Sequence, residues 1–133
     1  MGGPEADKDV HISLEDQQKI NKFARQNQRM EELKDDLKVK QSEIQTLIDA
    51  TSDVEEFSLT ADDGDKIPFQ IGEIFVLENP DTVQTMIQQR KDEVEEEIKQ
   101  IKLKADSVRS VMSDLKTHLY AKFGDAINLE ADD

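Results

Sequence analysis

The sequence predicts a mainly α protein: a long antiparallel two-helix coiled coil joined by a single β-hairpin that pairs with other chains. Three observations carry that class. Val94, Ile98, Ile101, Ala105, Val108, Met112, Leu115 and Leu119 recur at alternating spacings of four and three, the stripe of a helix seated in a coiled-coil seam. Phe23, Met30, Leu37 and Ile44 share one heptad position, with Leu33 and Leu47 at the next, so a second helix can face the first. Between the two stripes, Ile67 to Ile71 alternates apolar and polar with a period of two, and Ile74 to Leu77 is β-branched and aromatic.

Residues 1–12 form an N-terminal extension rich in Gly, Pro and acid, expected to be mobile. Ser13 reads as an N-cap with Asp16 as the capping-box acid, opening a helix over residues 13–52. Gln26 and Lys40 interrupt its stripe, and Ile20 and Ile48 flank it.

Residues 53–79 form the hairpin region. Asp62-Asp63-Gly64-Asp65 is a turn signal, and Gly72-Glu73 joins the two strands. Pro68 cannot donate a ladder hydrogen bond, so its strand should lie at an edge or a bulge. A lone two-stranded hairpin is barely stable in water. Ile67, Phe69, Ile71, Ile74, Phe75, Val76 and Leu77 therefore need cover, which edge-to-edge pairing with other chains would supply. The alternative is a hairpin folded onto its own helix ends.

Asn79-Pro80-Asp81 opens the second helix with a cap, a first-position proline and an acid in the first turn. This helix spans 80–124, ending at Gly124, and an acidic tail occupies 125–133. Setting Ser52 opposite Pro80 brings Phe23 near Arg109 and Ile20 near Met112. Leu119, Tyr120 and Phe123 then face the polar stretch from Ser13 to Gln18, or run past it, and Ile127 and Leu129 extend the apolar surplus. Such a patch at a helix tip marks an interaction site unless Val10, Ile12 and Leu14 fold over it.

Composition agrees with a thin helical core. The chain has 133 residues, 35% hydrophobic against 36% charged, too little apolar material for a thick globular interior. Without cysteine it has no disulfide, thiolate metal site or cysteine nucleophile. No apolar run approaches the roughly 18 residues that cross a bilayer, and the start lacks the basic and apolar regions of a leader, so a soluble, cytoplasmic protein is expected, with the nucleus open as a second address.

Net charge is −14, and its location excludes partners. Residues 13–52 carry seven basic and eight acidic side chains and residues 80–124 eight of each, whereas residues 53–79 carry one against eight. Neither nucleic acid nor an anionic membrane surface finds the clustered Lys and Arg it requires.

Catalytic and metal chemistry finds no footing. His11 and His118 without a fixed acid ligand make a poor zinc site. Placing Gly64 at the glycine of a calcium loop puts Leu59 and Gln70 where ligating acids belong. The acids from Asp92 to Glu97 sit on a helix flank among Lys and Arg. The expectation is a non-enzyme with no cofactor. A structural coiled-coil tether and an acidic transcription-associated cofactor are the other classes left open.

Helix, hairpin and helix resemble the β-type subunits of prefoldin, and three stretches carry the likeness: Leu14-Glu15-Asp16-Gln17-Gln18-Lys19-Ile20-Asn21-Lys22-Phe23, Ile67-Pro68-Phe69-Gln70-Ile71-Gly72, and Leu119-Tyr120-Ala121-Lys122-Phe123-Gly124-Asp125-Ala126-Ile127-Asn128-Leu129-Glu130-Ala131-Asp132. The likeness covers Val10 to the C-terminus, so that residues 13–124 read as a β-type domain. It implies a heterohexamer of two α-type and four β-type subunits, hence three further β-type partners, whose hairpins assemble into a double barrel. It implies that coiled-coil tips hold unfolded actin and tubulin and pass them to the cytosolic chaperonin without ATP. Carried over, Ile67, Phe69, Ile71, Ile74, Phe75, Val76 and Leu77 become assembly residues, and Ile20, Phe23, Leu119, Tyr120 and Phe123 become candidate client contacts. The acidic tail is read as a brake on self-association or a contact for a basic patch on the chaperonin.

Overall fold

A computed structural model describes residues 12–71 and 73–129. Helix α1 (Leu14–Thr60) is followed by strands β1 (Ile67–Ile71) and β2 (Ile74–Glu78), helix α2 (Pro80–Phe123) and a 3-10 turn at Gly124–Ala126. The chain is mainly helical, with one antiparallel two-stranded hairpin between two long helices.

The helix starts form as their side chains require. Ser13 Oγ accepts from the Asp16 N–H at 3.0 Å, and the Asp16 carboxylate accepts from the Ser13 N–H at 3.4 Å, so two otherwise orphaned donors are satisfied reciprocally. At α2, Asn79 Oδ1 accepts from the Thr82 N–H at 2.8 Å, and Pro80 stands first, where its missing N–H costs nothing.

Helix α1 does not end at Ser52. It continues to Thr60 because Val54, one heptad beyond Leu47, is buried and keeps the seam going, with Phe57 half-buried beside it. The hairpin region of 53–79 is therefore shorter than expected: its first eight residues belong to the helix. The turn signal acts after the helix, where the Asp65 N–H bonds Asp62 O at 3.1 Å, the Asp62 N–H bonds Asp65 Oδ2 at 2.8 Å, and Gly64 takes φ +90°, a value that favours glycine.

The described residues divide into two compact units, one of residues 12–36 with 101–129 and one drawn from residues 37–100. In the second unit, a buried cluster of Leu47, Val54, Val83, Ile87 and Val94 lies between α1 and α2, flanked by Ile44, Ala50 and Ile98. Thr51 O accepts from Gln84 Nε2 at 3.3 Å, Glu43 pairs with Arg90 and Lys40 with Glu97, so partners descend along α2 as they ascend along α1, the mark of antiparallel helices. In the first unit the cluster is Phe23, Met30, Met112, Leu119, Phe123 and Leu129. Lys122 pairs with Asp16 and Lys19 with His118, again antiparallel.

That first-unit register differs from the expected one. Setting Ser52 against Pro80 would put Asp16 beside Lys116, but Asp16 meets Lys122, because the buried carboxylate takes that ammonium and Phe23 clusters with Met112, Leu119 and Phe123.

Candidate functional site

Two surfaces matter, one in each unit, and each is set by backbone geometry. In the second unit, β1 pairs with β2 in the register Ile67 to Glu78, Pro68 to Leu77, Phe69 to Val76, Gln70 to Phe75 and Ile71 to Ile74. Directly paired residues share a face, so Phe69 and Val76 lie on one side and Phe75 and Leu77 on the other. Ile67 and Phe69 are half-buried against the helical cluster of this unit, so the hairpin leans on its own helices with one face.

The other face is bare. Phe75 on it is 70% exposed and Leu77 60%, and at the turn end of the leaning face Ile74, paired with Ile71, is 67% exposed. Among the described residues the sheet has two strands only, so each strand keeps an open edge of backbone donors and acceptors. Pro68 fits such an edge. Of the seven expected assembly residues, three are thus displayed, Val76 is half-buried, and Ile67 and Phe69 are committed to the chain's own core; the Ile71 side chain lies outside what the structure describes. The face carrying Ile67 and Phe69 thus takes the second alternative, a hairpin leaning on its own helices, while the Phe75 and Leu77 face stays uncovered in the single chain.

Beneath the hairpin a charged clamp orders the helices. Arg90 forks onto Glu43 with Nε–Oε2 2.7 Å and Nη2–Oε1 3.0 Å, and its Nη1 reaches Glu93 and Glu97, each at 3.2 Å. Lys40 Nζ meets Glu97 Oε2 at 2.6 Å. The Arg90 guanidinium holds the Glu43 carboxyl below its ordinary range, Lys40 does the same for Glu97, and the acids in turn raise Arg90.

The second surface, in the first unit, lies where α1 begins and α2 ends. Phe23, Leu119 and Phe123 are buried, and Ile20 and Tyr120 pack half-buried against them. Asp16 is 2% exposed and bound by Lys122 Nζ at 2.6 Å, and that bond, with help from Ser13, lowers its pKa against the opposing effect of burial. Lys19 Nζ lies 2.9 Å from His118 Nε2, which accepts from it, and 3.5 Å from Glu15.

The expected surplus of apolar surface here is not left open, and the covering differs from either expectation. Ile12 and Leu14 are exposed, at 45% and 77%; Val10 lies outside the described residues. The tail does the covering instead. Gly124 takes φ +56°, turns the chain out of the helix, and lets Ile127 pack on the cluster and Leu129 bury within it at 4% exposure. Leu129 N–H donates to Tyr120 Oη at 2.9 Å. The signal was present in the sequence as Ile127 and Leu129 two residues apart after a glycine, but it reads equally as more exposed surface.

Among the described residues no three His, Asp or Glu side chains gather as a metal site; His11 lies outside them. No described helix is long and apolar enough to cross a membrane.

Comparison with known proteins bears on both surfaces. Residues 17–126 match the family model for prefoldin subunits, spanning both the bare hairpin and the closed helix ends. The chain is 44% identical over 128 residues to human prefoldin subunit 4, and equally to the bovine protein, covering 96% of this chain and 93% of the relative in each case. Probable prefoldin subunit 4 of Drosophila melanogaster is 42% identical across 94% of this chain and 88% of its own length.

Proposed function

The chain belongs to the prefoldin family, and from that premise we propose that it is a β-type, subunit-4-like member of the heterohexameric co-chaperone. In this reading its hairpin assembles with two α-type and three further β-type subunits. The complex holds unfolded polypeptides, actin and tubulin among them, and passes them to the cytosolic chaperonin without ATP. The place of action is the cytoplasm, with the nucleus a second address.

One observation supports assembly most directly. A strand carrying Phe75 and Leu77 at 70% and 60% exposure, with an open edge, is an aggregation hazard in an isolated chain and a docking strip in a complex. Assembly in this reading uses Ile71, Ile74, Phe75, Val76 and Leu77 directly, while Ile67 and Phe69 set the hairpin's tilt from beneath. The client surface is the one at the helix ends: Ile20, Phe23, Leu119, Tyr120 and Phe123. Weak apolar contacts repeated over several subunits would give avidity without tight binding at any single one, which suits a carrier that must let go. Holding and release in this reading need no cofactor and no covalent step.

The test is native mass measurement of the chain alone and with the other five subunits, followed by scattering from unfolded actin with and without the complex. A defined hexamer that keeps actin in solution without nucleotide is expected. A chain that stays monomeric among those subunits, or a hexamer that leaves actin aggregation unchanged, would defeat the reading.

A further inference from the structure

The tail at the helix ends has the form of a bound peptide. After the 3-10 turn, Ile127 is extended, with φ −134° and ψ 144°. Ile127 and Leu129 enter the apolar cluster while Asn128 between them is exposed, so a short extended segment presents every second side chain to the helices. Its second apolar residue offers its backbone N–H to Tyr120 Oη at 2.9 Å. The segment has no strand beside it among the described residues. In sequence it is followed by Glu130, Asp132 and Asp133, which favour solvent over a core.

We propose that Ile127-Asn128-Leu129 is a built-in occupant of the client site, a strap that an extended segment of an unfolded polypeptide displaces. The idea rests on the holding function above and specifies what the site takes: two aliphatic side chains two residues apart, on extended backbone, with the N–H of the second donated to Tyr120. When the strap leaves, Phe23, Leu119 and Phe123 lose their cover, and an aliphatic-polar-aliphatic stretch of cargo supplies the same contacts. Emerging client thus competes with a tethered rival. A strap seated about nine-tenths of the time lowers apparent client affinity about tenfold, because only the open fraction can bind.

The probe is a fluorescent peptide of alternating leucine and serine, titrated by anisotropy into hexamers assembled with the full chain or with Leu129→Asp or Leu129→Ala chains. Leu129→Asp should tighten peptide binding by about the factor the strap had imposed, and Leu129→Ala should tighten it by less. Hydrogen exchange gives an independent reading: the Leu129 amide should be protected in the free hexamer and lose protection when peptide is added. Unchanged or weaker binding by the Leu129→Asp hexamer would overturn the strap. So would loss of helical circular dichroism on that substitution, since the segment would then be part of the fold and not a removable occupant, and so would Leu129 protection that persists with peptide bound. A hexamer that never forms, or does not hold actin, defeats the functional reading instead; the strap is then judged by the same titration and exchange on the full chain alone.

Discussion

The two compact units treat apolar surface in opposite ways. At the helix ends the chain brings its own tail back and buries Leu129 over Phe23, Leu119 and Phe123. At the hairpin it half-buries Ile67 and Phe69 and leaves Phe75 and Leu77 facing water on an open-edged strand. Local geometry decides which outcome occurs. A short extended tail can close on a helical cluster through side chains alone, whereas a strand edge demands a run of backbone hydrogen bonds that only another strand supplies. Surface closed by the same chain needs no partner; an open strand edge leaves its backbone groups to another strand or to water.

The comparison is broken most severely by Phe75→Asp. This charge on the bare face should abolish co-assembly, read by native mass, while the helical circular dichroism of the isolated chain stays unchanged. Phe69→Asp also ends assembly, but by loosening the chain's own core, so its helical signal should fall as well. A matching pair of outcomes for the two variants would show that the faces are not distinct.

Next in size is Leu119→Ala. Leu119 is 0% exposed, and truncation should cost about 2–5 kcal/mol through the cavity it leaves. Thermal melting of the chain measures it, and a loss under about 1 kcal/mol would mean that the helix ends are open on average. Smaller again is Arg90→Met. Its fork onto Glu43 is geometrically good, but both side chains are about one-third exposed, 37% and 32%, so the loss should stay near 1 kcal/mol or below and shrink with added salt.

The gentlest perturbation is acid. Asp16, Glu43 and Glu97 all have pKa values lowered in the folded chain, by Lys122, Arg90 and Lys40 respectively. A lowered folded value means that their stabilisation is complete above the ordinary carboxylate range and is lost as pH falls through the depressed values. Helical signal followed from pH 7 downward should therefore hold until about pH 4 and then decline. Asp16→Asn should flatten part of that decline, and an identical acid limb in this variant would show that the pairing of buried Asp16 with the half-exposed Lys122 contributes nothing.

Much of this was legible beforehand, because short-range chemistry leaves short-range signals. Ser13 with Asp16, and Asn79 with Pro80, announce two helix starts, and both caps form. The stripe from Val94 to Leu119 marks the packed side of α2, with Val94, Met112 and Leu119 buried. The end of α1 was harder. The pattern changes after Asp53, which reads as a boundary, but Val54 at heptad distance from Leu47 was the better guide. The tail was the least legible element, since Ile127 and Leu129 read the same whether they cover a site or enlarge it; only backbone torsions at one residue distinguish the two.

That residue is Gly124. An added methyl group there would meet nothing within 4 Å, so space does not demand a glycine; the sign of its φ, +56°, does. An alanine in its place would be drawn back toward the right-handed basin, and α2 would tend to wind onward through Asp125 and Ala126. Ile127 and Leu129 would then emerge on a different side of the lengthened rod, out of reach of Phe23 and Phe123. One torsion thus acts as a railway point, routing the last stretch of polypeptide either home or away.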